Sequence, residues 1–132
     1  MIVLDASATV ELLVERGVTG EWVRERVAAV DSVHAPHLID LEVLSALRRL
    51  VRKREIGLDQ GRLALHELSR MPIRRYPSTR LLERIWQLRE NLTPYDAAYV
   101  ALAEALAAPL LTTDDRLARS TGHRAAIEGF SG

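Results

Sequence analysis

Four carboxylates, Asp5, Glu42, Asp96 and Asp114, occupy places where a charge is costly unless something neutralises it. Asp5 ends the apolar run Met1-Ile2-Val3-Leu4, and Asp114 follows Pro109-Leu110-Leu111-Thr112-Thr113. Glu42 and Asp96 sit inside two of the most apolar helical stretches of the chain. Brought together, they form a divalent-metal site. Two carboxylates about 5 Å apart repel by about 3 kcal/mol at an effective dielectric of ~20, so a cluster of four requires cations or protons. The chain has no cysteine, and its four histidines (34, 37, 66 and 123) show no ligand spacing and read as structural. An all-oxygen donor set selects Mg²⁺ or Mn²⁺ over zinc. One or two such ions can activate water and stabilise the leaving oxygen of a phosphodiester.

Each acid also has a plainer reading. Asp5 precedes Ala6-Ser7 and suits a helix cap. Glu42 shares a narrow helical stripe with Ser45 and Arg49, so a structural contact among them would explain it. Thr93-Pro94-Tyr95-Asp96 has the form of a capping box with proline at the first helical position. Asp114 and Asp115 follow Thr112-Thr113 and can start a helix; Asp115 is the one expected to face solvent. Ser7 has no partner that suggests a nucleophile and fits a role holding a carboxylate. The basic run Arg48-Arg49-Leu50-Val51-Arg52-Lys53-Arg54 suits a helix C-terminus; alternatively Arg48, Arg49 and Arg52 form a phosphate-contacting edge.

The elements that must position these residues alternate between strand and helix. Short apolar strands are expected at 2–5, 32–35, 73–76 and 109–113, with a last one at 125–128. Helices are expected over 7–15, 19–30, 37–54, 59–70, 79–91, 94–107 and 114–120. Such alternation implies a mainly parallel sheet of four to five strands with helices on both faces, a three-layer α/β/α sandwich. In these sheets the site lies beyond the carboxyl ends of the strands, where strand order reverses. Asp5 and Asp114 both end strands, so the sheet can unite them across 109 positions.

With 132 residues, 48% hydrophobic and 27% charged, the chain fits a single domain spanning 1–132. Net charge is zero, 18 basic against 18 acidic, which argues against nucleic-acid binding by bulk charge but leaves local patches open. No apolar run approaches the ~20 residues of a membrane span, and the opening residues read as a core strand rather than a signal peptide. A cytoplasmic location is the expectation. Phosphoryl transfer to Asp5 fits poorly: Ser7 stands where a second aspartate is needed, and the sole lysine, Lys53, lies on the wrong segment.

Four stretches then carry a family resemblance. They are Ile2-Val3-Leu4-Asp5-Ala6-Ser7; Ala35-Pro36-His37-Leu38 running into Glu42-Val43-Leu44-Ser45-Ala46-Leu47-Arg48; Leu92-Thr93-Pro94-Tyr95-Asp96-Ala97-Ala98-Tyr99-Val100-Ala101-Leu102-Ala103; and Leu110-Leu111-Thr112-Thr113-Asp114-Asp115-Arg116-Leu117. In this order and spacing the chain resembles a PIN-domain ribonuclease, specifically the VapC-type toxin of bacterial toxin–antitoxin modules. The resemblance implies that Asp5, Glu42, Asp96 and Asp114 form the acidic metal-binding quartet, supported by the hydroxyls of Ser7 and Thr112. Ser45 stands where the family often has asparagine, and Asp115 is an additional acid. The resemblance also implies Mg²⁺-dependent (or Mn²⁺-dependent) hydrolysis of RNA, with transfer or ribosomal RNA as compatible targets. Homodimers and neutralisation by a small cognate antitoxin are further implications. The rival expectation is a catalytically silent binding module whose acids dock an arginine-bearing partner.

Overall fold

The computed structural model describes residues 1–14 and 17–130. Five strands form one all-parallel sheet: β1 (Ile2–Leu4), β2 (Val33–Pro36), β3 (Ile73–Tyr76), β4 (Leu110–Thr112) and β5 (Ile127–Gly129), in the order β3-β2-β1-β4-β5. Strand order reverses between β1 and β4, because β2 and β3 extend the sheet to one side and β4 and β5 to the other. β1, flanked on both edges, is fully buried, as the unbroken apolar triplet Ile2-Val3-Leu4 requires.

The helices are α1 (Ala6–Val14), α2 (Gly17–Ala28), α3 (Ile39–Arg52), α4 (Leu58–Arg70), α5 (Leu82–Gln87), α6 (Pro94–Leu106) and α7 (Asp115–Ala118). α1 packs with α2, α3 and α4, while α5 packs with α6, and α6 lies on β1, β2 and β4. The result is the expected three-layer sandwich. α3 buries Ile39, Val43, Leu47 and Leu50 and leaves its arginine-rich side in water. α6 differs: Ala97 through Ala103 are all buried, so this helix is a core element whose N-terminal turn emerges at the sheet's carboxyl edge.

Element boundaries shift slightly from expectation. The segment expected as one helix over 79–91 is a 3₁₀ turn, Thr79–Leu81, followed by the short α5. The last strand begins two residues later than expected, at Ile127. The expected end of the first helix, residue 15, lies outside the described residues.

Candidate active site

β1 ends at Leu4, and the chain leaves the sheet at Asp5. The Asp5 backbone N–H donates to the Leu111 carbonyl of β4 at 3.2 Å. Its side chain caps α1, Oδ1 accepting from the Ala8 N–H at 2.8 Å and from the Ser7 hydroxyl at 2.7 Å. Thr112, the last residue of β4, donates to Oδ2 at 2.5 Å. Ser7 Oγ in turn accepts from the Thr113 N–H at 3.1 Å, and Thr112 Oγ1 from the Asp114 N–H at 3.0 Å. Two hydroxyls therefore stitch β1 to β4 across the point where strand order reverses, and they hold Asp5 while doing so.

Asp114 caps α7, accepting from the Arg116 N–H at 2.9 Å and the Leu117 N–H at 3.4 Å. Asp96 lies in the first turn of α6, where Thr93 Oγ1 caps its N–H at 3.3 Å. Its carboxylate turns to the Arg116 guanidinium, 3.2 Å away; the same guanidinium is 3.8 Å from Asp114. Glu42, in the first turn of α3, accepts from the Tyr99 hydroxyl at 2.8 Å rather than from Ser45 or Arg49. Tyr99 is 1% exposed, so this hydrogen bond satisfies a nearly buried hydroxyl.

All four acids line one cavity of about 270 Å³, together with Ser7, Ser45, Arg49 and Tyr99. The Glu42–Ser45–Arg49 stripe read from the sequence faces it. Burial pushes Asp5 up to about 6; the bonds from Ala8, Thr112 and Ser7 oppose the rise, and Asp114 adds to it. Glu42 is raised by burial and by Asp96, against the Tyr99 bond. Burial also raises Asp96, with Arg116 opposing and Asp114 adding. Burial, and after it Glu42, holds the Tyr99 phenol well above its usual range, so it remains a donor.

These carboxylates disfavour one another's charge in a desolvated pocket, which is the condition a cation relieves. Among the described residues no three acids or histidines stand close enough, as the side chains lie, to share one ion. Each carboxylate is instead drawn to a donor of the protein itself. The donor set nonetheless fits a hard divalent ion: carboxylate oxygens and hydroxyls, with no sulfur and no imidazole on the cavity.

Two contributors escaped the sequence reading. Tyr99 was absorbed into the apolar character of α6, although it stands three residues after Asp96 and so shares its face. Arg116 follows Asp114 within one helical turn. Asp115 is exposed and is not among the cavity's lining residues. The basic run divides: Arg49 lies on the acidic cavity, whereas Arg48 and Arg52 line a separate groove with Leu44, Leu47, Val51, Leu58 and Leu65. His34 is structural, buried between Ser32 at 2.8 Å and the Tyr76 hydroxyl at 2.7 Å.

The PIN domain family model matches residues 2–122. Ribonuclease VapC9 of Mycobacterium tuberculosis is 48% identical over 117 residues, covering 89% of this chain and 88% of that protein. Two solved structures share the fold. One is Mycobacterium tuberculosis VapC20, described as a sarcin–ricin loop cleaving toxin (TM-score 0.69, 16% identity, 94% of this chain and 99% of that one). The other is a toxin–antitoxin complex from Klebsiella pneumoniae (TM-score 0.63, 17% identity, 90% of this chain and 91% of that one).

Proposed function

The chain belongs to the PIN-domain family, and from that premise we propose that it is a divalent-metal-dependent endoribonuclease acting as the toxin of a toxin–antitoxin pair. The observation that carries the reading is the convergence of Asp5, Glu42, Asp96 and Asp114 on one cavity at the point where strand order reverses. The ribonuclease name of a relative 48% identical over most of both chains supports the reaction class.

Asp5, Asp96 and Asp114 would hold the ion once their side chains turn from the protein donors they now face, with Mg²⁺ as the ordinary occupant and Mn²⁺ as a substitute. The ion supplies Lewis acidity toward the phosphodiester. Ser7 and Thr112 fix the Asp5 carboxylate in one rotamer, so little reorganisation is needed when charge develops. Tyr99 occupies one oxygen of Glu42 and leaves the other to orient the attacking water. The raised proton affinity of Glu42 makes it a better base for that water. The water gives a proton to Glu42 as its oxygen bonds to phosphorus, and the departing ester oxygen takes a proton from solvent. Arg49, at the cavity's edge, contacts a phosphate and places the strand without reading its sequence.

Transfer RNA and ribosomal RNA are both fitting targets; the fold relative described as cleaving the sarcin–ricin loop lends support to the second. Exposed Leu41, Leu44, Leu58, Leu63 and Leu65 on α3 and α4 provide the apolar surface that an antitoxin and a second copy of the chain require. No described helix is long and apolar enough to cross a membrane, and cellular RNA as target makes the cytoplasm the place of action.

The test is cleavage of total bacterial RNA by the purified, antitoxin-free chain with Mg²⁺ or Mn²⁺ against EDTA. Asp5→Asn is the matched control. Discrete metal-dependent fragments, absent with the variant, are expected. Equal fragmentation by both proteins, or none by either while both are folded, would remove the nuclease reading.

A further inference from the structure

A second, larger groove, of about 710 Å³, adjoins the acidic cavity, and Asp96 lines both. Its walls are the α5–α6 connection, the start of α6, and α7 with the loop after it. We propose that this groove is the track along which single-stranded RNA reaches the cleavage point, an inference that rests on the nuclease reading above. Arg89, Arg116 and Arg119 are the phosphate contacts.

The argument starts from charge. A cavity of four carboxylates repels a polyanion, and a chain of zero net charge offers no general attraction. Approach therefore needs cations placed beside the acids. Arg116 stands at the junction, its guanidinium on Asp96 and its side chain 74% exposed. Arg119 makes no side-chain hydrogen bond or ion pair among the described residues, and it is exposed. Arg89 donates to the Trp86 carbonyl at 3.0 Å and stands 3.9 Å from Glu90, a contact too long and too wet to hold it. Two of the three guanidiniums are thus uncommitted to any carboxylate of the fold that would compete with phosphate.

Beyond Arg89 lies an aromatic platform. Its guanidinium sits 4.6 Å over the ring of Trp86, and Trp86 is 64% exposed. An indole paired with arginine and open to water suits stacking of an unpaired base, which is sequence-tolerant and specific to single strands. The groove is also preformed. Asn91 Nδ2 donates to the Thr121 carbonyl at 2.9 Å, tying one wall to the other. Gly122 permits this approach: its φ is +89°, and a Cβ there would lie 1.9 Å from Asn91 Nδ2. The groove that carries Arg48 and Arg52 is otherwise lined mostly by leucine and valine. That composition suits a protein partner, so the two basic groups divide between RNA and protein.

The experiment uses the full chain carrying Asp5→Asn, so that RNA survives. A fluorescein-labelled single-stranded RNA of mixed sequence, roughly twelve nucleotides to match the site sizes of such grooves, is titrated by anisotropy at several salt concentrations. Arg89→Ala/Arg119→Ala is compared with Arg48→Ala/Arg52→Ala, which removes the same charge. The first pair is expected to weaken binding about tenfold and to flatten the log K against log salt slope by about 1.4, two phosphate contacts at about 0.7 each. The second pair is expected to change affinity less than about twofold, leaving that slope intact. Equal losses from both pairs, or a larger loss from the second, overturn the proposal. So does loss of antitoxin binding, with RNA binding intact, in the first pair. Metal-dependent cleavage by the parent chain that coexists with a groove insensitive to mutation sinks the track alone. Absence of both cleavage and RNA binding in the parent sinks the nuclease reading with it.

Discussion

Asp5→Asn should make the metal-free protein more stable at pH 8, although it removes a residue central to the site. A rise of the Asp5 pKa from 3.8 to about 6 on folding means that ionised Asp5 opposes folding by about 3 kcal/mol once both states are deprotonated. The sign follows from proton binding. Between about 4 and 6 the folded chain holds a proton that the unfolded chain has released, so stability falls as pH rises through that window. Asparagine removes the charge and keeps the Oδ1 acceptor for Ala8 and Ser7. Its amide must face Thr112, whose hydroxyl has to turn from donor to acceptor, at a cost of about 1 kcal/mol. The net gain at pH 8 is about 2 kcal/mol. With a urea m-value of about 2 kcal/mol/M, the midpoint moves up by about 1 M. At pH 5 the folded wild type is mostly protonated at Asp5, so the penalty is roughly halved and the variant's advantage shrinks to about 0.5 kcal/mol. Urea unfolding in EDTA at both pH values measures this. A variant equal to or weaker than wild type at pH 8, or an advantage that does not shrink at pH 5, refutes the electrostatic account. Added Mn²⁺ should reverse the order by stabilising wild type and not the variant.

Four other outcomes follow from the same geometry. Arg116→Ala should tighten Mn²⁺ binding severalfold in calorimetry, because an entering ion no longer displaces a guanidinium from Asp96; unchanged or weaker binding counts against that competition. Tyr99→Phe should slow cleavage about tenfold, within the scale of a positioned base. Losing a bond that lowers the Glu42 pKa should also move the acid limb of the pH–rate profile to higher pH, and a profile that stays in place argues that Glu42 does not titrate in the reaction. Arg84 pairs with Glu104 through contacts of 2.7 and 2.9 Å and holds its pKa down to about 2. Arg84→Ala should therefore cost about 3 kcal/mol, because the Glu104 side chain is 2% exposed and would keep only the Arg124 N–H, 2.9 Å away. That pair's contribution, present above about 4.5, should fade as pH falls toward 2, which acid unfolding of the two proteins can check. Asp114→Ala should lose both cleavage and about 1 kcal/mol of stability, whereas Asp114→Asn should lose cleavage alone, since asparagine also caps.

The fold was legible because its cues are local. Apolar triplets such as Ile2-Val3-Leu4 and the 3.6-residue stripe of α3 state their own structure, and their alternation leaves few topologies. The acids were legible for a related reason: a carboxylate closing an apolar strand has few uses. What stayed hidden depends on distances the sequence does not carry. Tyr99 looks like any other apolar residue of α6 until the partner of its hydroxyl, 57 positions away, is known. Arg48, Arg49 and Arg52 read as one basic edge because they are neighbours in sequence. At 100° per residue Arg49 turns toward Glu42 while Arg48 and Arg52, four apart, share the face toward α4. The segment at 79–91 was read as one helix because a short 3₁₀ turn has the same apolar spacing over its few residues.

At Asp5 and Asp114 the capping reading and the proposed chemical one rest on the same geometry. In this sheet the carboxyl ends of β1, β2 and β4 run into α1, α3 and α7, and α6 starts at the same edge, so helix N-termini collect where strand order reverses. Asp5 caps α1, Asp114 caps α7, and Glu42 and Asp96 lie in the first turns of α3 and α6. Each terminus presents unpaired N–H groups and the positive end of a helix dipole. Two of the acids accept those N–H groups outright. This offsets part of the repulsion that would otherwise protonate the cluster or open the site. Burial, with the remaining repulsion added to it, raises Asp5, Glu42 and Asp96 above their usual range, and the charge on Asp96 draws Arg116 across it. Capping and the proposed metal role are therefore compatible at Asp5 and Asp114. The helix starts hold four like charges around one cavity, and the charge left uncompensated there is what a divalent ion can use.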